Sequence, residues 1–333
     1  MQDDFVTDFE EEPLPDTHRY TVDDALNALP IDPKSIVPPQ IIFGFSDLEP
    51  REIKRVRAAW QNLADDQRAV IMERMADGSE VDFGLDYTVF STIGYDDPNQ
   101  SVRLAAIRAG WTDETPETLQ KLIDIARDDP ITEVRAAALT QIGQFIHKGE
   151  MEDISKDITA PAETLALDLL NAPDESIDVR RRALEAIAHA SRPEVAPLIE
   201  EAYHHDDLMM RVSAINAMGN SCDDRWETII TDELDSPIEE MAFEAVRASG
   251  IIGITGAIDQ LRELAISGDS QIQEAAIWSL GEIGGEEASD ALNEILAAIE
   301  GDDDLEEAIE DALAMAEVMG GIDLDFDLDD DED

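Results

Sequence analysis

The ten residues 210–219, MRVSAINAMG, contain the pattern on which the fold of this chain depends. An aliphatic residue is followed four places later by alanine, and a second aliphatic residue comes directly after that alanine. Five other stretches repeat the arrangement, and they start at Val102, Val134, Val179, Met241 and Ile272. The alanines of the six copies are Ala106, Ala138, Ala183, Ala214, Ala245 and Ala276. Self-similarity of this kind is typical of proteins built from stacked repeats.

The spacing within each copy predicts an α-helix, because its first, fifth and ninth residues fall on one side of a helix. Alanine at the fifth place and a small residue such as Gly219 at the tenth allow a neighbouring helix to approach closely. A second helical pattern lies between the copies, so each unit is predicted to be a helix pair. One interval holds an additional polar stretch at residues 147–159, which we expect to form a loop.

Acidic turns precede the six copies and predict helix amino termini, where aspartate caps free amides. The turn residues are Asp96-Asp97-Pro98, Asp128-Asp129-Pro130, Asp174, Asp206-Asp207, Asp235-Ser236-Pro237 and Asp269.

The repeated pattern resembles HEAT repeats of the short bacterial class sometimes called the phycobilisome-lyase type, over about residues 82–300. The signature is clearest at Asp129 with Val134-Arg135 and at Asp174 with Val179-Arg180. The resemblance implies an all-α superhelical solenoid of roughly eight helix pairs, including caps. It also implies a buried ladder in which arginines bond to acidic turns of neighbouring repeats, at Arg103, Arg135, Arg180 and Arg211. Ala242 and Gln273 replace arginine in the last copies, so the ladder is expected to stop there.

The remaining segments suggest a division of the chain into five parts. These are a disordered acidic N-terminus (1–20), a helical cap (21–81), the solenoid (82–300), a capping helix outside the repeat pattern (301–320) and an acidic tail (321–333). The tail alternates aspartate with apolar residues. It is interpreted as disordered, as a strand added to a partner, or as a segment docked on the terminal repeat.

The charge balance excludes several classes of function. The chain has 79 acidic and 23 basic residues and a formal net charge of −56, so nucleic acids and anionic membranes would be repelled. Two explanations of the acidity stay open, namely solubility or adaptation to a salty cytoplasm, and selection of a basic partner protein. Cys222 is the only cysteine, and neither a signal peptide nor an apolar span is apparent. A monomeric cytoplasmic protein is predicted.

Enzymatic chemistry finds little support in the motifs, and no catalytic, cofactor-binding or metal-binding residue is predicted. Iron-dependent hydroxylases built on these repeats carry His-Glu pairs, and no histidine of this chain precedes a glutamate. The run His204-His205-Asp206-Asp207 could bind a metal, but it falls in a predicted turn where aspartate serves as a cap.

A candidate partner groove follows from the resemblance, because the second helix of each HEAT pair lines the concave side. Positions six and seven after each start project there, at Arg108, Thr140, Gln141, Glu185, Asn216, Arg247 and Trp278. Tryptophan and arginine often anchor protein interfaces. In the alternative interpretation Trp278 packs on the terminal cap, and the arginines pair with nearby carboxylates. The sequence thus favours a non-enzymatic scaffold or adaptor that binds a partner protein, which is expected to be basic. The alternative is a tetrapyrrole lyase-like enzyme or accessory protein.

Overall fold

The computed structural model describes residues 20–82, 84–299 and 303–320, and these residues form helices with no β-strand among them. They belong to two compact units, one ending at Glu114 and the other beginning at Thr115. The predictions for residues 1–19 and for the tail at 321–333 lie outside the described residues. No described helix is both long and apolar enough to cross a lipid bilayer.

The described residues of the first unit form six helices around an aromatic core. They are α1 (Val22–Asn27), α2 (Pro39–Gly44), α3 (Pro50–Trp60), α4 (Asp65–Val81), α5 (Thr88–Gly94) and α6 (Gln100–Ala109). Phe90 stacks on Phe45 with ring centroids 5.1 Å apart and meets the edge of Trp60 at 4.9 Å. Helix α4 packs on α6, α5 packs on α6 and α3 packs on α5.

A buried ion pair lies next to this core. Asp97 accepts hydrogen bonds from Arg68 Nε at 2.7 Å, from Arg68 Nη2 at 3.1 Å and from Trp60 Nε1 at 3.1 Å. The Arg68 guanidinium also donates to the Leu63 carbonyl at 2.7 Å. The hydrogen bond to Asp97 is the main reason that the pKa of Arg68 is raised. Asp97 was predicted to cap α6, but Asn99 is the cap and Asp97 instead binds α3 and α4 together.

The second unit consists of twelve helices that form six consecutive pairs. They are α7 (Pro116–Asp128), α8 (Thr132–Glu150), α9 (Lys156–Asn171), α10 (Ile177–Ile187), α11 (Val195–Tyr203), α12 (Leu208–Asn220), α13 (Glu227–Glu233), α14 (Glu239–Ile252), α15 (Ile258–Ser267), α16 (Ser270–Ile283), α17 (Gly285–Ala298) and α18 (Asp303–Gly320). The even-numbered helices are the second members of their pairs, and from α10 to α18 each packs on the second helix of the preceding pair. Together with the helices of the first unit, the described residues contain 18 α-helices, which agrees with the predicted solenoid of roughly eight helix pairs including caps.

Burial confirms the register of the repeated pattern. All six recurring alanines have no exposed surface, and Ala214 in α12 is one of them. The six starting residues are at most 9% exposed, and the residues that follow the alanines at most 2%. The pattern therefore gives the inner side of each of these helices correctly.

The small residue at the tenth place meets the next second helix, as predicted. A Cβ atom added to Gly143, Gly219 or Gly281 would lie 3.0–3.2 Å from the Cα atom of an alanine in that helix. At Gly250 the corresponding distance, to the Cα atom of Ser279, is 2.7 Å. Glycine thus sets how closely successive second helices pack.

We expect Gly250→Ala to destabilise the protein, because the new methyl group would press on the backbone of α16. Overpacking costs roughly 1–3 kcal/mol, and the gain in helix propensity of about 1 kcal/mol offsets part of it. Thermal unfolding followed by circular dichroism measures the difference. Gly256→Ala is the control, since the nearest atom to its added Cβ is a glutamate side-chain oxygen 3.7 Å away. Equal melting temperatures for the two variants would show that the helices can separate without cost.

The predicted aspartate caps are correct in two turns and wrong in others. Asp207 accepts a hydrogen bond from the Met210 amide, and Asp269 accepts from the Ile272 amide, so they cap α12 and α16. Ser176 caps α10 instead of the predicted Asp174. Side-chain oxygens of serine and asparagine cap helices as those of aspartate do. The residue one turn before the first buried position of each copy would therefore have been the better prediction of the cap.

The predicted arginine ladder has main-chain oxygens as its chief acceptors. Each of the four arginines donates to a carbonyl near the end of the preceding helix: Arg103 to Asp97 (2.9 Å), Arg135 to Ala126 (2.8 Å), Arg180 to Leu170 (2.9 Å) and Arg211 to His205 (3.1 Å). Arg135 also reaches the next pair, donating to Glu175 at 3.0 Å. The ladder was expected to stop before Gln273, but the Gln273 amide donates to the Ala265 carbonyl at 3.1 Å.

Helix α18 completes the sixth pair in the same register as the other second helices. Its Ile309 and Ala312 are buried, and an added Cβ atom on Gly281 would lie 3.1 Å from the Cα atom of Ala312. Glu310 is exposed at the place where the other copies carry a buried aliphatic residue. The helix therefore follows the repeat spacing on the side facing α16 and is polar at the end of the stack.

Candidate functional site

The predicted groove residues of the second unit lie on one exposed side of α8, α10, α12, α14 and α16, which we call the second-helix face. Thr140 and Trp278 are exposed on it, whereas the remaining members are half-buried: Gln141, Glu185, Asn216 and Arg247. All of them except Gln141, which stands seven residues after its start, have the offset of six residues in helices that pack in sequence, so the face is continuous from α8 to α16.

Around α10 and α12 the second-helix face is polar and internally bonded. Glu185 accepts hydrogen bonds from Ser213 and Arg182. Asn216 Nδ2 donates to Glu244 Oε2 at 3.1 Å, and Asn220 Nδ2 donates to Asn216 Oδ1 at 2.9 Å. These side chains bind each other, which leaves few free groups for a partner.

Glu244 is the most perturbed carboxyl group on this face. Burial raises its pKa, and the negative charge of Glu185 acts in the same direction. The hydrogen bond from Asn216 and the charges of Arg247 and Arg182 oppose the rise without cancelling it. Asn216 therefore satisfies a carboxylate that is expensive to bury.

Around α14 and α16 the face opens into a depression of about 580 Å³. Its lining residues are Phe243, Arg247, Gln271, Glu274, Ala275 and Trp278. The Arg247 guanidinium carbon lies 6.0 Å from the centroid of the Trp278 ring, in range of a cation–π interaction. Trp278 is nevertheless 40% exposed. The two residues are neighbours, as their equal offsets in adjacent copies predict.

Arg108 belongs to the first unit, where it is held by carboxylates of α4. Its guanidinium donates to Glu73 at 2.7 Å, to Asp77 at 3.1 Å and to Glu80 at 3.0 Å. The hydrogen bonds to Glu80 are the main cause of its raised pKa. The interpretation in which the arginines pair with nearby carboxylates therefore describes Arg108, but it does not describe Arg247.

The run of histidines and aspartates before α12 forms a turn. His205 Nδ1 accepts a hydrogen bond from the Asp207 amide at 3.0 Å, and Asp207 caps the helix. Across the part of the chain that the structure describes, no three His, Cys, Asp or Glu side chains are grouped as a metal site.

His189 is a half-buried titratable group just after α10. Its ring lies 5.1 Å from the ring of His147, and its Nδ1 atom has no hydrogen-bond partner among the described residues. Burial lowers the pKa of His189 to about 4, and the charge of His147 contributes to the shift. The histidine is therefore neutral in the folded protein at neutral pH.

We expect His189 to make the fold sensitive to acid. In the unfolded chain its pKa returns to about 6.5, so between pH 6.5 and pH 4 the unfolded state binds the extra proton. Above about pH 6.5 this group does not reduce the free energy of unfolding. Below pH 6.5 the free energy of unfolding falls by about 1.4 kcal/mol per pH unit, because the unfolded state binds one more proton than the folded state. Denaturant unfolding at pH 7 and pH 5 should show a smaller loss for His189→Gln than for the parent. The control is His204→Gln in the exposed turn, and identical losses in all three proteins would contradict the assignment.

The comparisons with known proteins agree with this architecture. A family model described as HEAT repeats matches residues 164–226 and 227–314. The protein therefore contains HEAT repeats. No curated protein sequence matches the chain.

Solved structures similar to this HEAT-repeat protein share little sequence with it. The CpcE–CpcF complex of phycocyanin lyase from Nostoc sp. PCC7120 is 15% identical over 69% of this chain and 94% of that one, with a TM-score of 0.44. Importin beta is 14% identical over 83% of this chain and 44% of that one, with a TM-score of 0.42. A designed armadillo repeat protein in complex with the peptide (KR)4 is 21% identical over 61% of this chain and all of that one, with a TM-score of 0.37.

Within the HEAT repeats, sequence reasoning missed part of the lining of the depression. Phe243 and Glu274 stand two places after the starts Met241 and Ile272, on the same side of the helix as Arg247 and Trp278. Positions two and six after a start are neighbours on a helix surface. Including the second place in the predicted row would have identified both residues.

Proposed function

We propose that this protein is a monomeric, non-enzymatic scaffold that binds another protein on the second-helix face at α14 and α16, and that it acts in the cytoplasm. One observation supports this most directly. Trp278 remains 40% exposed in a broad depression although an arginine lies against its ring. Large exposed aromatic residues next to arginine are the residues that most often supply binding energy at interfaces.

The composition of the depression supports binding over catalysis. Its six lining residues provide aromatic, aliphatic and amide surface, one carboxylate and one guanidinium. They include no nucleophile next to a base, which is the arrangement that covalent catalysis needs. A surface that excludes water around one or two aromatic anchors is enough to hold a partner.

The charge of the protein supports a basic partner. The net charge of −56 produces a negative field that attracts positively charged proteins and repels acidic ones. Several arginines outside the depression are already bonded to carboxylates of the protein itself, as Arg108 is. A partner with complementary charge would be selected before contact is made.

We expect Trp278→Ala and Arg247→Ala each to weaken partner binding by about 1–2 kcal/mol, because the first removes the anchor and the second removes the group that orients its ring. The partner is first isolated by affinity purification from the native cytoplasm, and its affinity is then measured by calorimetry. A tetrapyrrole transferred or covalently attached in this experiment would favour the lyase-like alternative.

The control for these two variants is Arg262→Ala in α15, where the arginine pairs with Asp259 and Glu294 outside the depression. Helicity and melting temperature are measured for all three proteins. If the tryptophan and arginine variants lose thermal stability while keeping their affinity, the two residues serve packing alone and the proposed site is wrong.

A further inference from the structure

Helix α18 extends the apolar part of the second-helix face beyond Trp278. Gly281 of α16 meets Ala312 of α18 in the same way that Gly250 of α14 meets Ser279 of α16. Helices α16 and α18 therefore have the same relative register as α14 and α16. Asp311 therefore stands in α18 at the position that Trp278 occupies in α16. Met315 follows Asp311 by one helical turn on the same side.

Exposed apolar side chains are concentrated in this region. In α18 Met315 is 44% exposed, Val318 61% and Met319 40%, and Trp278 in the neighbouring helix α16 is 40% exposed. Large apolar side chains with this exposure are otherwise scattered over the described residues. Several large exposed apolar side chains on two packed neighbouring helices indicate an interaction site.

The surroundings of this surface are acidic. Residues 239–299 and 303–320 contain two cationic side chains, Arg247 and Arg262, and Arg262 lies on α15 in ion pairs. Glu274, Glu282 and Asp311 occupy positions on the same side as Trp278. An occupant must therefore supply positive charge around its apolar residues.

The charge pattern disfavours two alternative occupants, the acidic segment 321–333 and a second copy of the protein. Residues 321–333 are apolar at alternate positions, but they contain eight acidic residues and no lysine or arginine. A second copy of the protein carries the same net charge of −56. Both would bring carboxylates against carboxylates, which is unfavourable.

The surface also favours a helix over an extended segment. Main-chain groups within α16 and α18 are already bonded inside their helices, so they offer no edge to pair with a strand. A helix satisfies its own main chain. The axes of packed helices such as α16 and α18 lie about 8–10 Å apart. An incoming helix that crosses both can therefore place residue i on one of them and residue i+7, ~10.5 Å further along, on the other.

We propose that Trp278, Met315 and Val318 form the docking surface for an amphipathic helix of a partner protein, with lysine or arginine flanking the apolar side of that helix. This inference rests on the proposed function and narrows it to one kind of partner segment. It adds α18 to the site, and it requires apolar and basic residues together in one helix.

The test uses the full chain and a fluorescein-labelled 18-residue peptide of leucine and lysine, with leucine at helical spacing along one side. A peptide of the same composition in scrambled order, with no apolar side, is the matched probe. We expect the amphipathic peptide to bind at least about tenfold more tightly than the scrambled one in fluorescence anisotropy at physiological salt, because only it presents anchors to the apolar surface. Equal affinities of the two peptides would show that charge attraction alone explains the binding, and this would overturn the proposal.

Variants then locate the contact. Trp278→Ala, Met315→Ser and Val318→Ser should each weaken binding of the amphipathic peptide about fivefold or more, while Ile158→Ser, an exposed apolar residue on α9, should not. Circular dichroism confirms that each variant is folded. If Trp278→Ala weakens the isolated native partner but the α18 variants have no effect on the peptide, this inference fails and the proposed function stands. If Trp278→Ala affects neither ligand, both fail.

Discussion

Replacing Ala214 with arginine is expected to unfold most of the second unit at room temperature. Ala214 has no exposed surface, and its helix α12 packs against α10, α11 and α14. The larger side chain overpacks the crossing at a cost of roughly 1–3 kcal/mol, and an unpaired buried charge adds about 3–5 kcal/mol. Their sum is comparable to the whole stability of an ordinary domain, about 5–15 kcal/mol. Circular dichroism and denaturant titration measure the loss.

Ala160→Arg provides the matched control for this variant. Ala160 is an exposed alanine in α9, and the same substitution there should change the free energy of unfolding by at most about 0.5 kcal/mol. An Ala214→Arg protein that melts like the Ala160→Arg protein would show that the register of the repeated pattern, and the inner side assigned from it, are incorrect.

Asp97→Ala is expected to give the largest loss of stability in the first unit. The substitution removes the acceptor of Arg68 and Trp60 and leaves a guanidinium whose side chain is only 8% exposed without its main partner. Breaking a buried ion pair on one side costs about 3–5 kcal/mol. Denaturant unfolding monitored by tryptophan fluorescence follows the change directly, since Trp60 donates to the same carboxylate.

Two further proteins distinguish the ion pair from general packing. Asp65→Ala removes the exposed second partner of Arg68 and should cost at most about 1 kcal/mol. Asp97→Leu combined with Arg68→Met should recover much of the loss, because well-packed apolar residues often replace a buried pair without penalty. A double variant as unstable as Asp97→Ala would assign the effect to the loss of Asp97 alone.

The repeated pattern was sufficient to predict the helix pairs and their inner sides. Ala214 and its five counterparts recur at fixed offsets, and close packing accepts only a small residue there. The contact of Gly250 with Ser279 follows the same logic. These features could be predicted because each repeat packs on its neighbours in the same way. The six copies of the pattern therefore show which residue types a single packing environment accepts.

The features that were missed depend on neighbours that do not repeat. Asp97 looks like the other turn aspartates in sequence, but Arg68 and Trp60 lie 29 and 37 residues away and draw it into the interior. Met315 lies in a helix whose sequence departs from the pattern at Glu310, which concealed its register. Arg108 and Arg247 share one offset, yet only Arg108 faces three carboxylates. Such differences come from tertiary contacts that a local pattern does not encode.

The measurement that tests the central claim most directly is photo-crosslinking in the native cells. A benzophenone amino acid is placed at Gln271, which lines the depression, and in a second protein at Asp290, an exposed residue of α17. We predict that the Gln271 protein crosslinks to one basic protein and that Trp278→Ala abolishes this product. Products of equal yield from Asp290 and Gln271, or a product that is indifferent to Trp278→Ala, would contradict the assignment of the second-helix face as the binding site.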